Sequence, residues 1–281
     1  MKKIIALWIL GCAVFASDPI TLDSLFKNQQ GLRSITTFQS ISSGSSDSFV
    51  SYPDLVTMNE GRAWQDVKSL SLTQTFLYGL TPKFDILTSV TASSNRREYA
   101  DVRGYGHSNT NNLDSFWLGG IYLFDSVGMF KPQLTAQVAL FQKERFFDET
   151  ANLSLKSLYV KGALKNYSDP VVSTLFIGSI ANTERHIGRY DIDNGDLYFM
   201  GFDMSVILSP KVSLNIGMEQ RYQTQSRVNS IASSNSAIIS TMSLGATYAL
   251  DAKSSLSVSG YSGGSSRSPD SVFSVSLWQK F

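Results

Sequence analysis

The sequence predicts an all-β protein: a transmembrane antiparallel up-and-down β-barrel of about 12 strands, with short periplasmic turns and longer extracellular loops. Three observations predict it. Polar and apolar residues alternate with period two along most of the chain. The connections between the alternating runs are short and long in turn. The N-terminus reads as an export signal.

That signal comes first in the chain. Lys2 and Lys3 form a charged start, Ile4–Ala16 is apolar, and polar Ser17-Asp18-Pro19 follows. Val14 and Ala16 offer small residues before the cut, so residues 1–16 are expected to be a signal peptide and Ser17 the mature start. The apolar run is too short to span a bilayer as a helix. Cys12 is the one cysteine, in "ILGC", a loose likeness to a lipoprotein box. Leu10 is bulky for that box and the apolar run continues to Phe15, so cleavage after Ala16 is the preferred reading. The mature chain then has no disulfide and must be held by its fold. Without Lys2 and Lys3 it carries 22 basic against 23 acidic residues, a net charge of −1. No basic excess points to nucleic acid.

Residues 17–31 are expected to form a short N-terminal periplasmic segment. Ile20, Leu22, Leu25 and Phe26 share a helical face there, and Gly31 can end the helix. Two readings stay open: a small plug folded into the lumen, or a tail.

The barrel is expected over 32–281. Its strands are Leu32–Ser42, Ser69–Leu80, Phe84–Ser93, Asp114–Phe124, Gln133–Lys143, Leu155–Asn166, Val171–Asn182, Leu197–Leu208, Val212–Thr224, Ile238–Leu250, Ser255–Tyr261 and Val272–Phe281. Alternation is cleanest in Val212–Thr224, where Val212, Leu214, Ile216 and Met218 oppose Ser213, Asn215, Gly217, Glu219 and Arg221. The first and seventh strands have no assignable face. One apolar face per strand suits a soluble sandwich or a membrane barrel. The connections decide. Thr81–Lys83, Asp125–Met129, Ser168–Pro170, Ser209–Lys211 and Asp251–Lys253 are short; those near 43–68, 94–113, 144–152, 183–196, 225–237 and 262–271 are long. A sandwich has no reason to keep that alternation, and the outer-membrane barrel does. A similar corner, Ser/Thr/Asp–Pro/Ala–Lys, recurs at Thr81, Ser209 and Asp251 and marks the periplasmic rim. Tyr78, Trp117, Tyr122, Phe124, Tyr248 and Phe281 lie where interfacial aromatic girdles are expected.

The last strand puts Phe273, Val275, Leu277, Gln279 and Phe281 on one face. A terminal aromatic closing such a strand resembles the signal that the barrel-assembly machinery reads in bacterial outer-membrane proteins; Gln279 departs from it. The residues expected to carry that signal are Phe281, Leu277, Val275 and Phe273. Expected partners are this machinery, outer-membrane lipids and lipopolysaccharide, and an unidentified small solute. The expected location is the outer membrane of a Gram-negative bacterium.

"YGLTPKFD", Tyr78 to Asp85, resembles the Y-G-L-T-x-[RK]-x-[DE] hairpin of outer-membrane transporters of the MetA-type phenol-degradation family. "LDSFWLGGIYLF", Leu113 to Phe124, is similar to that family's Asp-containing strand, with Asp114, Leu118-Gly119 and Tyr122 at its positions. About a third of the chain matches with any specificity. The resemblance implies a 12-stranded type of barrel and the passage of small, often hydrophobic, molecules; for related barrels it implies export of amyloid-forming subunits.

Chemistry is sparse. His107 and His186 fall in expected outer loops. Outer-membrane lipid hydrolases use His and Ser at i, i+2, on one face of a strand. Here His107 and Ser108 are adjacent, in a Gly- and Asn-rich stretch that favours loop. Asp191, Asp193 and Asp196 have the residue types of a calcium loop but not its spacing; a solvated, ion-paired outer loop is expected. No cofactor motif is present. What remains is the lumen, onto which the strand phases project Asp85, Gln137, Lys143, Lys161, Lys165, Asp203, Glu219 and Arg221. Their mixed signs predict weak ion selectivity. The expected function is passive passage of small solutes, hydrophobic ones included, without covalent chemistry. The alternatives are a secretion pore for an extended or amyloid-forming polypeptide, an outer-membrane lipid hydrolase, and an adhesive barrel.

Overall fold

Val212–Gln223 shows how alternation becomes a wall. Leu214, Ile216, Met218 and Tyr222 point outward and are exposed, while Ser213, Gly217 and Gln223 point inward and are buried. The same division repeats around the molecule, a computed structural model that describes residues 31–43, 63–101, 104–146, 149–263 and 271–281. Expectations for residues 1–30, the signal peptide, Cys12 and the plug included, lie outside the described residues, save that Gly31 opens the first strand.

Twelve strands form the barrel: β1 (Gly31–Ser43), β2 (Ala63–Thr81), β3 (Phe84–Asp101), β4 (Gly104–Leu123), β5 (Phe130–Phe146), β7 (Ser157–Ser168), β8 (Val171–Asn182), β11 (Leu197–Ser209), β12 (Val212–Gln223), β15 (Ala237–Ala249), β16 (Ser254–Gly263) and β17 (Ser271–Lys280). Each pairs antiparallel with its neighbours in chain order. The ring closes where β1 lies against β17, from Arg33 opposite Lys280 to Ser42 opposite Ser271. Closure removes sheet edges and pairs the backbone within the wall, the condition for crossing hydrocarbon. Outside, an apolar belt runs through residues such as Leu72, Leu134, Leu164, Ile177, Met200 and Leu244. Tyr78, Tyr122, Phe124, Tyr248 and Phe281 are exposed at its periplasmic rim, and Tyr198 and Tyr222 face each other near the outer one. The fold is that of a Gram-negative outer-membrane barrel, and the belt places the chain in that membrane.

The periplasmic corners share one device. The side-chain oxygens of Thr81, Ser209 and Asp251 accept the backbone N–H of Lys83, Lys211 and Lys253, two residues on, at 3.3, 3.3 and 2.7 Å. These are the ST- and Asx-turns that Ser, Thr and Asp form locally. Pro82 and Pro210 supply a preset φ in two of them. Lys83 also reaches Asp125 of the next turn at 2.7 Å. That hydrogen bond holds its pKa above the ordinary lysine value.

The outer side departs from expectation. A spanning strand needs ~9–11 residues, yet β2, β3, β4 and β5 run for 19, 18, 20 and 17. Residues 94–101 and 104–113, expected as loop, extend β3 and β4 as paired strands in which His107 pairs with Glu98. Above the bilayer both strand faces meet water, so period two disappears while the ladder persists on its neighbour.

Five short strands rise from the outer loops. β6 (Glu149–Leu153) folds back on β5. β9 (Arg185–Ile187), β10 (Tyr190–Asp193), β13 (Ser226–Val228) and β14 (Ile231–Ser234) make a second sheet in the order β14–β13–β10–β9. Asn229 and Ser230 take positive φ in the tight β13–β14 turn. Phe146, Ile187 and Ile192 form a small core beneath this sheet.

Candidate functional site

The inner faces of the strands enclose a cavity of about 600 Å³. It reaches from Trp278 and Lys280 at the periplasmic end to Ile41, Val272 and Tyr261 at the outer end. Its two sides differ. On β1, β2, β3 and β17 the lining is hydroxyl-rich, and the hydroxyls pair across strands: Thr37 with Ser276 at 3.0 Å, Thr73 with Thr91 at 3.1 Å, Thr75 with Ser89 at 3.4 Å. Between Arg33 and Lys280 at its periplasmic end and Ile41 and Val272 at its outer end, this wall is hydroxylic.

The other side is built in rungs, read from the strand register. The outermost joins Tyr159, Ile180, Leu197, Gln223 and Ala237 on β7, β8, β11, β12 and β15. Next toward the periplasm come Lys161, Gly178, Phe199, Arg221 and Ile239. Then follow Ala163, Phe176, Gly201, Glu219 and Thr241, and below them Lys165, Thr174, Asp203, Gly217 and Ser243. Phe199, Phe176 and Asp203 each lie over a glycine on a neighbouring strand. A Cβ on Gly178 would stand 2.4 Å from the Phe199 ring, one on Gly201 2.3 Å from the Phe176 ring, and one on Gly217 2.6 Å from the Asp203 carboxylate. The glycines therefore let the aromatic rings lie flat on the wall. Tyr159 and Phe199 stack at 5.6 Å between centroids, and Phe176 sits 6.3 Å from Phe199. With Trp117, Ala139, Ile180, Leu197 and Ile239 they make one apolar cluster inside the barrel. The cluster covers one side of the cavity, across from the hydroxyl-rich side.

Charge lies on top of this cluster. The Lys161 ammonium stands 4.0 Å above the Phe176 ring. Arg221 donates through Nε to Glu219 two residues back on β12. Asp203 is exposed to the lumen. Five cations and two carboxylates line the cavity among the described residues: Arg33, Lys161, Lys165, Arg221 and Lys280 against Asp203 and Glu219.

Of the residues projected onto the lumen, Gln137, Lys161, Lys165, Asp203, Glu219 and Arg221 line the cavity. Asp85 also points inward but is buried beneath Arg33, its ion-pair partner. Lys143 does not line it. The β4–β5 register shifts between Phe116 and Trp117, with Leu140 as the extra residue of β5. Gln142 is therefore the buried inner residue, and Lys143 pairs with exposed Asn152 on the other face. Trp117, expected in the aromatic girdle, is fully buried in the lumen cluster. Apolar residues occupy both faces of "FWLGGIYLF", and the inserted Asp114 sets which face is inner. Arg33, Tyr159, Phe176 and Phe199 were not singled out by sequence. The recurring glycines at 178, 201 and 217 were the available signal.

The "YGLTPKFD" hairpin is a structural joint. Gly79 carries no side chain on the inner face of β2, so Arg33 of β1 reaches across to Asp85 of β3. Thr81 caps the turn and Lys83 ties it to Asp125. Phe84 lies over Gly120, whose Cβ would stand 2.8 Å from the ring. At the outer end buried Arg185 anchors the loop sheet. It lies 2.7 Å from Glu144 and donates to Ser157 at 2.8 Å, Asn182 at 3.1 Å and the Thr183 carbonyl at 3.2 Å. The acids of the Glu184–Asp196 loop serve the fold. Asp191 meets His186 at 2.7 Å, Asp193 accepts from the Gly195 N–H, and Asp196 accepts from the Asn182 N–H.

Fold and lumen together define an outer-membrane β-barrel with an internal cavity. No protein-family model and no curated protein matches the chain. Among solved structures it is similar to the COG4313 outer membrane channel from Pseudomonas putida F1, at 13% identity and TM-score 0.69 over 95% of this chain and 100% of that one. It is also similar to the translocator domain of the autotransporter NalP from Neisseria meningitidis, at 12% and 0.57 over 100% and 98%. The CymD monoaromatic hydrocarbon channel aligns at 9% and 0.50 over 95% of each chain.

Proposed function

We propose that the protein is a passive outer-membrane channel for small solutes. The observation that carries this is the cavity of about 600 Å³ bounded at one end by Trp278 and Lys280 and at the other by Ile41 and Val272. That volume falls within the ~300–1,000 Å³ of pockets that hold small molecules. Passage is by diffusion, with no bond made or broken. The apolar cluster along one wall supports solutes with apolar bodies, as does the MetA-type likeness of Tyr78–Asp85 and Leu113–Phe124. The same cluster narrows the path, which disfavours an extended polypeptide as cargo although autotransporter translocators share the fold. Insertion by the barrel-assembly machinery through Phe273, Val275 and Leu277 on the outer face of β17 and Phe281 just after it belongs to the same reading, as does an outer surface in lipid and lipopolysaccharide.

The test is conductance in planar bilayers, with liposome swelling for a solute panel. Discrete channel openings and swelling in small solutes are expected. A barrel that folds yet passes neither ions nor solutes would remove the channel reading and favour an adhesive role for the outer loops.

A further inference from the structure

Within this lumen, one rung is built differently from the rest. Lys161 and Arg221 lie on it, separated by Gly178 and Phe199. Three strand spacings of ~4.8 Å lie between their backbones, and both long side chains line the cavity. Between them Phe199 is held flat over Gly178, so two cations flank an aromatic floor: Lys161, and Arg221 with Nε on Glu219 of the next rung. We propose that this rung is a binding site for small organic monocarboxylates with an apolar body. The inference rests on the channel reading and deepens it by naming the solute class.

Charge argues for the carboxylate. Cations outnumber carboxylates along the lining, and Arg33 with its buried partner Asp85 leaves that excess in place. A narrow path with a net positive lining concentrates anions. Lys161, poised over an aromatic face and, among the described residues, in no close ion pair with a carboxylate, is placed to receive one. Glu219 and Asp203 lie one and two rungs further toward the periplasm. A second negative charge on the solute would meet them, which selects monoanions over dianions. The apolar body is argued from what surrounds the rung: Phe176 and Phe199 beneath it, and Ile41, Val272 and Tyr261 toward the outer end. An inorganic anion gains nothing from those surfaces.

The test uses the full barrel in planar bilayers with benzoate as the probe. Reversal potentials in a KCl gradient should favour chloride over potassium. Benzoate should reduce the chloride current saturably, and benzyl alcohol and acetate should do so far less. Lys161→Met and Arg221→Met should each weaken the benzoate block about tenfold, the loss of one charge-assisted contact. Lys83→Met, in a periplasmic turn, should leave it unchanged. Heat-modifiable migration on gels reports folding of each variant. Block by acetate equal to that by benzoate, or full block retained in folded Lys161→Met and Arg221→Met, overturns the site while leaving a conducting channel. Absence of any conductance in the folded wild-type barrel overturns the site and the channel reading together.

Discussion

Gly201→Ala tests the internal wall most directly. The added Cβ would stand 2.3 Å from Cζ of Phe176 and 2.6 Å from the Met218 carbonyl. Ordinary carbon contacts lie at ~3.5–4.0 Å, so the Phe176 ring must retreat by about 1.2–1.7 Å. The wall lies behind it, so the ring moves into the path and carries away the surface on which Lys161 rests. Overpacking of this kind costs ~1–3 kcal/mol, small enough for the barrel to fold. The expected result is a urea midpoint lowered accordingly and a reduced single-channel conductance. Removing the ring separates the two effects: Gly201→Ala with Phe176→Ala should conduct at least as well as the wild type. The reasoning is refuted if Gly201→Ala conducts like the wild type. It is refuted equally if the double variant stays as narrow as the single one, since the strain would then belong to the Met218 backbone.

Further outcomes follow from other parts of the molecule. Asp85→Asn leaves Arg33 charged and buried, and should cost ~3–5 kcal/mol in urea titrations, whereas replacing both with apolar residues of similar size should restore most of it; a neutral Asp85→Asn would show that the pair is hydrated. Leu244→Arg puts a charge on the lipid belt and should cost ~2–4 kcal/mol of folding into bilayers if it sits near the midplane. Thr241→Arg, on the lumen side of the same strand, should cost far less, and equal costs would contradict the assigned faces. Arg185→Met removes the anchor of the outer sheet, so limited proteolysis should cut 183–196 and 224–236 faster while the barrel stays heat-modifiable; unchanged cleavage would mean that the Phe146–Ile187–Ile192 core holds the sheet alone.

Individual residues show how much could be read before the structure. Val171–Asn182 matches its expected strand at both ends, and the other eleven barrel strands overlap theirs. Glu219 and Arg221 line the cavity because "VSLNIGMEQR" alternates cleanly on a regular ladder. Lys143 was projected inward because nothing local marks the extra residue at Leu140, which exists only in the pairing with β4. Phe176 was unassignable, since its strand is apolar on both faces. The turn residues were legible for the opposite reason: Thr81, Ser209 and Asp251 act on a backbone N–H two residues away.

By itself, then, the chain's order of residues determined the class of fold, the number of barrel strands and the position of the periplasmic rim. Those depend on period two, on turn chemistry and on connection length, all of which act over a few residues. The tertiary structure alone decided what stands inside the barrel. Whether Phe199 lies flat depends on Gly178 of the next strand, and whether Lys161 faces Arg221 depends on register across three ladders. Register is set by bulges and by closure of the whole ring, and a one-residue shift in it exchanges lumen for lipid.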